Sequence, residues 1–358
     1  MQILVGTDKG LIEYSLPNDD FKLKEIHFLG FPIGCINYHQ SSGRWRVAVN
    51  HKHWGPKIHG SNDGGKQWQE IEAPKFPLNI INKYGNKTAI KNIWEIAHAP
   101  NANPDEFYVG VEPAAIFRTK DGGSNYEFIR GLWEHPSRSE WRGGGKGTMD
   151  PFLHAIIIDP QDKSHIYVGI SCAGVFETWD GGITWNPINK GLIADYLPNP
   201  KAEVGHDPHT LIMSKSNNKV IWQQNHCGIF KTFDGGKHWD DISDGKGIAN
   251  YGFAMAIDDE NDNRAWVIPS HSDSLRIPHN NALCVCITED GGKTWVEQRE
   301  GLPQEASFDL VLRHAMDING SHLVFGTNNG NLYHSPDYGA HWETISQNLT
   351  TVRSVKII

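Results

Sequence analysis

Nineteen histidines are spread unevenly along this chain of 358 residues, and several stand where they could act together. Three open apolar runs: His154 in HAIIIDP, His209 in HTLIMSK and His314 in HAMDING. Two runs of the same kind, WEIAHAP and FAMAIDD, carry Trp94 and Phe253 at the matching place. His53 in NHKHWGPK, His226 in QQNHCG and His271 in IPSHSDSLRIPHNNA fall in connecting segments, with His51 and His206 close by. Neutral imidazoles converging from separate strands hold a divalent metal without any local spacing motif. His154, His209, His226 and His314 are therefore expected to ligate one divalent ion, or else to form a proton-transfer and substrate-binding cluster. A lone histidine opening a buried strand is ordinarily a hydrogen-bonded core residue; recurrence at one level is what argues for function.

Other polar residues extend the same reading. Glu95 follows Trp94, Glu112 replaces a plain Gly-Thr turn in VEPAA, and Glu134, Glu203, Asp207 and Asp273 occupy long connections. Two carboxylates roughly 5–10 Å apart can run glycoside hydrolysis, and a loop Glu or His can move a proton beside a Lewis-acidic metal. Catalytic roles are expected for Glu95, Glu112, His53 and Arg276. Lys91, Trp94, Asn225, His271 and Arg313 are expected to contact substrate, the cations because they suit a carboxylate or phosphate. Cys227, beside His226, reads as a small buried thiol and not a nucleophile.

These residues need a scaffold, and the repeats supply it. SNDGGKQW, TKDGGSNY, TWDGGITW, TFDGGKHW, TEDGGKTW and SPDYGAHW share one pattern, with aspartates at 63, 121, 180, 234, 290 and 337 separated by 58, 59, 54, 56 and 47 residues. That period is one supersecondary unit. Alternating runs such as HIYVGI, GVFETW and HAIIIDP make each unit four short strands, A to D from the axis outward, with the Asp-Gly-Gly turn joining C to D. The Asp can bond N–H groups of its own loop, the glycines permit positive φ, and the closing Trp68, Trp185, Trp239, Trp295 and Trp342 are expected in the core. A degenerate seventh unit, ILVGTDKGLIEYSLPNDDFKLKEI, lacks an innermost strand, which the terminal VRSVKII can provide. The expected fold is all-β: one seven-bladed β-propeller of four-stranded antiparallel blades over residues 1–358, with both chain ends in one blade. The B–C segments and the long D–A connections (81–92, 131–152 and 191–208) then open onto one rim, where function is expected.

The [ST]-x-D-x-G-x-x-W turns resemble the Asp-box, or BNR repeat, of sialidases, sortilin-type receptors, certain glycoside hydrolases and a photosystem II assembly factor. The layout is most similar to intracellular bacterial BNR-repeat proteins named glycosyl hydrolases by analogy. The resemblance covers nearly the whole chain. It implies the propeller and says little of chemistry. A sialidase is not expected, because Arg276-Ile277-Pro278 lies in the sixth repeat instead of before the first, and no tyrosine follows the last box.

Composition narrows the partners. A formal charge of −9 and the lack of any basic run argue against nucleic acid or an anionic membrane. Five sparse cysteines without a CxxC pair are expected as reduced thiols. The opening MQILVGTDKG reads directly as strand and turn, so a cytoplasmic protein is expected. Its ligand is expected to be a small molecule or oligosaccharide. Two functions follow as expectations: a carbohydrate-active enzyme of glycoside hydrolase or lyase type with a histidine-rich, metal-binding site, or a non-catalytic propeller binding a protein or glycan through the same rim.

Overall fold

A computed structural model describes residues 1–16, 21–81, 86–100, 102–143 and 150–358. Parts of the long connections 81–92 and 131–152 lie outside the described residues. Seven four-stranded antiparallel sheets make the fold a seven-bladed β-propeller. By internal contacts the chain divides into two compact units, Phe31–Pro187 and Met1–Gly30 with Ile188–Ile358.

The first unit carries blades two to four, beginning with the inner strands Ile33–His39, Asn92–Ala97 and Leu153–Ile158. Its core includes Ala48, Ile58, Ile93, Val109 and Phe117 from neighbouring blades. Contact between blades is close enough to select residues. A Cβ on Gly110 would stand 2.7 Å from the Leu153 carbonyl of the next blade, so only glycine fits there. Asn50, at the end of its strand, donates to Ile93 O and accepts from Ile93 N, both at 3.0 Å, and so stitches blade two to blade three.

The second unit carries blades one and five to seven. The terminal strand Val352–Ile357 pairs with Gln2–Thr7, so both chain ends share the first blade, as the repeat count requires. Ile3, Val5, Trp266, Val324, Phe325 and Val352 are buried together across blades one, six and seven.

Each of the six repeated Asp-Gly turns joins strands C and D, but its hub is the hydroxyl that opens it. Thr232 Oγ1 donates to Asp234 Oδ1 at 2.8 Å and accepts from Gly236 N at 3.0 Å. The equivalent bonds from Gly65, Gly123, Gly182, Gly292 and Gly339 measure 2.8–2.9 Å. The hydroxyl residues are buried and Asp234 is exposed. Of the closing tryptophans, Trp185, Trp239 and Trp342 are buried as expected, whereas Trp68 and Trp295 are half-buried.

The inner strands carry a further device. Each of four skips one residue in its pairing with strand B: Gly34, Trp94, His154 and His209 are the extra residues of β-bulges, and in blade six Phe253 and Ala254 lie in the skipped stretch. A bulge breaks the two-residue alternation and re-aims a side chain. The level at which the sequence aligns Trp94, His154, His209 and Phe253 is thus the bulge level.

Candidate functional site

In the second unit the bulge of blade five builds a compact polar group. Asp207 ends the long D–A connection, His209 is the bulged residue of Pro208–Met213, and His226 sits in the tight turn between Ile221–Asn225 and Gly228–Thr232. His226 N donates to Asp207 O at 3.0 Å, which fixes turn against strand. One ligand atom from each of Asp207, His209 and His226 lies within 4.8 Å of the others, and no second such group of metal-ligating side chains occurs among the described residues. Asp207 Oδ2 stands 3.3 Å from His209 Nε2 and 3.7 Å from His226 Nδ1. The far side of His209 is fastened, since Nδ1 lies 2.6 Å from Gly252 O. Asp207 and His209 are buried, while His226 is partly open.

The surroundings are aromatic and cationic. His209 stacks on Phe253 with centroids 4.3 Å apart and planes 15° apart, and Tyr251 stands edge-on to both histidines. Burial pushes the Asp207 carboxyl up, but His209, Arg313 and His226 together outweigh it and hold it well below the usual carboxylate range. Burial, only partly offset by Asp207, lowers His209. Asp273 accepts from Tyr251 Oη at 3.3 Å and from Arg276 Nε at 3.1 Å. Its carboxyl is lowered, burial being overcome by Arg276.

Beside this group opens a cleft of about 380 Å³ lined by His226, Cys227, Tyr251, His271, Asp273 and His279 among others. The cleft reaches the polar group only through His226; Asp207 and His209 lie behind that wall. Cys227 is half-buried, not buried as expected, because its turn faces the cleft. Burial and the Asp195 carboxylate 3.2 Å away push its thiol up to about 12.

Other expected residues take different places. Asn225 is buried within the turn: its Nδ2 donates to Gln223 Oε1 and its Oδ1 accepts from Cys227 N, so it holds the turn that carries His226. His271 lines the cleft and stacks on His279 at 5.1 Å. His314 belongs to the same unit but contributes no atom to the Asp207 group; its carbonyl accepts from Val355 N, tying it to the terminal strand. His154 is a buried residue of the other unit, its ring tilted against Phe152 with centroids 5.7 Å apart. In that unit Trp94 stacks on Phe152 at 4.1 Å, and Glu112, also buried, accepts from Asn92 Nδ2 at 2.8 Å and Trp94 Nε1 at 3.3 Å. Glu95 accepts from the adjacent Ile96 N, Lys91 pairs with Asp150 at 2.8 Å, and His53 stands exposed beside His51.

Asp207 is the ligand-type residue whose role the sequence reading missed, since it was placed only among rim carboxylates. Spacing alone could not have found it, because the bulge at His209 breaks the two-residue alternation that would relate Asp207 to it.

No protein-family model matches the chain, and no curated protein does. Solved structures match by shape. A GH74 enzyme from Niastella koreensis is similar at 15% identity and TM-score 0.64, over 95% of this chain and 51% of that one, so this chain spans about half its length. A Bacteroides fragilis protein provisionally named a 6-phosphogluconolactonase is similar at 13% identity and TM-score 0.58, over 100% and 97%. YCF48 bound to D1 peptide is similar at 12% identity and TM-score 0.52, over 96% and 84%. At these identities the likeness concerns the fold.

Proposed function

We propose that this propeller is a metal-dependent enzyme of carbohydrate chemistry, with Asp207, His209 and His226 holding one divalent cation. The orientation of His209 carries the reading. Its Nδ1 must donate to Gly252 O, so in the neutral ring Nε2 presents a lone pair, and that lone pair faces Asp207 Oδ2 at 3.3 Å. Two acceptors so placed call for a proton or a metal cation between them, and we take the metal. Ligands of a tetrahedral ion at its usual bond lengths stand about 3.3 Å apart, and a backbone carbonyl on the distal nitrogen is the common support of a metal-bound imidazole.

When bound, such an ion supplies Lewis acidity to a substrate oxygen or an activated water. His226 presents the group to the cleft. Asp273, held ionised beside Arg276 and facing the same cleft, is placed to accept a proton or a sugar hydroxyl there. The likeness to a GH74 glycoside hydrolase propeller supports carbohydrate as the substrate class.

The test is metal uptake by protein purified without a histidine tag and stripped with chelator. Calorimetric titration with zinc or manganese is expected to show one equivalent, lost in Asp207→Ala and His209→Ala and retained in His314→Ala. Absence of uptake, or uptake unchanged in those two variants, would make His209 an imidazolium donating to both Gly252 O and Asp207. The reading would then pass to a binding propeller, the role for which YCF48 bound to D1 peptide is the neighbour.

A further inference from the structure

Positive charge surrounds the Asp207 group. The guanidinium carbons of Arg276 and Arg313 each lie 5.2 Å from the centroid of Phe253, the ring on which His209 stacks. They arrive from different places, Arg276 from the long connection between Ala265–Pro269 and Val285–Thr288, Arg313 from the residues just before Met316–Asn319. Both lie within the field of Asp207. Asp273 accepts from Nε and Nη2 of Arg276, which fixes the plane of that guanidinium while about half of the side chain stays exposed.

The formal charges of Asp195, Asp207, Asp273, Arg276 and Arg313 sum to −1. A divalent ion among them leaves a surplus of one positive charge in a partly dry region, and such a surplus is costly unless an anion shares the site. A planar, pre-oriented guanidinium is the side chain best matched to a carboxylate or phosphate oxygen pair. The adjoining cleft sits at the small end of the roughly 300–1,000 Å³ usual for small-molecule sites.

We propose that the ligand of this site is a small polyhydroxy acid, a sugar acid or sugar phosphate in class, whose anionic group is held between Arg276 and the cation. Arg313 supplies charge from behind Phe253, and Asp273 positions Arg276. This inference rests on the cation reading above.

The experiment titrates zinc-loaded and metal-stripped protein with D-glucuronate, D-glucose 6-phosphate and D-glucose. At least one acid is expected to bind about tenfold or more tightly than glucose, the scale of one charge-assisted contact, and the tighter of the two acids tells carboxylate from phosphate. Arg276→Ala, an exposed change that should not impair folding, is expected to weaken the acid about tenfold, with part of the affinity restored by R276K and zinc uptake unchanged. Arg313→Lys, which keeps the charge, should retain acid preference. Equal binding of glucose and both acids, no binding of any of the three, or acid binding unchanged in R276A overturns the proposal. Acid preference that survives in protein unable to take up zinc would sink the cation reading alone and leave the arginine assignment standing.

Discussion

The hydrogen bonds of the repeated Asp-Gly turn predict that its most costly polar residue is the hydroxyl and not the aspartate. In blade five Thr232 is fully buried, and its Oγ1 accepts from Gly236 N at 3.0 Å and Asp234 N at 3.3 Å while donating to Asp234 Oδ1 at 2.8 Å. Valine keeps the shape and removes the acceptor, which strands a buried N–H at Gly236, itself pressed so close to Ile188 that an added Cβ would stand 2.5 Å from its Cδ1. Thr232→Val should therefore cost about 1–3 kcal/mol, the usual penalty for an unsatisfied buried donor. Asp234 is exposed and accepts from His238 N at 3.1 Å and from Thr232 Oγ1 at 2.8 Å, bonds that water reaching its open side can replace. Asp234→Ala should cost about 1 kcal/mol or less, and Thr232→Ser, which keeps the acceptor and loses one methyl, about 1 kcal/mol. Urea unfolding followed by tryptophan fluorescence gives all three. Because Gly228–Thr232 runs from the His226 turn to the Asp-Gly turn, the two ends are roughly 15 Å apart at a strand's rise per residue, and metal uptake should be unchanged in every variant that folds. An Asp234→Ala cost exceeding that of Thr232→Val would refute the argument, as would Thr232→Ser being as damaging as Thr232→Val.

Three further outcomes follow from the same coordinates. Hydrogen bonds within the Asp-Gly turns hold Asp121 and Asp290 at about 2, and at Asp180 they outweigh desolvation to give about 2 as well. Folded values below the unfolded one mean that the stabilisation is present above about pH 4 and lost as pH falls toward 2. Urea midpoints measured from pH 5 to 2 should fall less steeply in the D121N/D180N/D290N protein, and an unchanged slope would count against these bonds. Deleting residues 352–358 removes Val352, Val355 and Ile357, all buried, and unpairs Gln2–Thr7; the truncated chain should fail to give a cooperative melt, and a melting temperature equal to that of the full chain would contradict the shared blade. With its thiol pushed up to about 12, Cys227 should react slowly with iodoacetamide at pH 8 in native protein despite lining the cleft, and reaction at the rate of a free thiol would show that the Asp195 contact does not hold.

The scaffold was legible because it is written in local chemistry that recurs. A hydroxyl, an aspartate and two glycines at fixed spacing specify a turn wherever they occur, and five such copies, with a sixth in which Tyr338 at φ 59° replaces the first glycine, leave little freedom in what lies between. The terminal strand was legible by subtraction, since VRSVKII alternates like a strand and one blade lacked its inner member. The site was legible only where it borrows from that periodicity. His209 and Phe253 could be aligned because each occupies the bulge region of its inner strand, and both do come together. His314 aligned equally well, yet it lies outside the Asp207 group, because the inner strand of blade seven begins two residues later and the chain there is engaged with Ser354 and Val355. Equivalent register places a Cα; it does not aim a side chain.

What the repeats could not convey is how a single residue's partners divide between framework and site. Asn225, His226 and Cys227 are consecutive in one turn, and the sequence suggested substrate contact, metal ligation and packing for them in that order. The fold assigns them separate tasks: Asn225 closes the turn, Cys227 faces the cleft against Asp195, and His226 turns toward Asp207. That division depends on residues far away in sequence, since the Asp207 carbonyl pins His226 and the Gly252 carbonyl pins His209. Both anchors are backbone carbonyls, which every residue type possesses and no motif can mark. At His209 a main-chain carbonyl thus sets which imidazole nitrogen faces Asp207, and a change of backbone path at Gly252 would disturb the proposed site without removing a histidine. Gly252 is open to that test, because an added Cβ there would stand 2.7 Å from Ile268 O and force the strand to shift. Gly252→Ala should weaken zinc uptake although it removes no ligand, and uptake equal to wild type in a folded Gly252→Ala protein would show that the carbonyl does not set the orientation of His209.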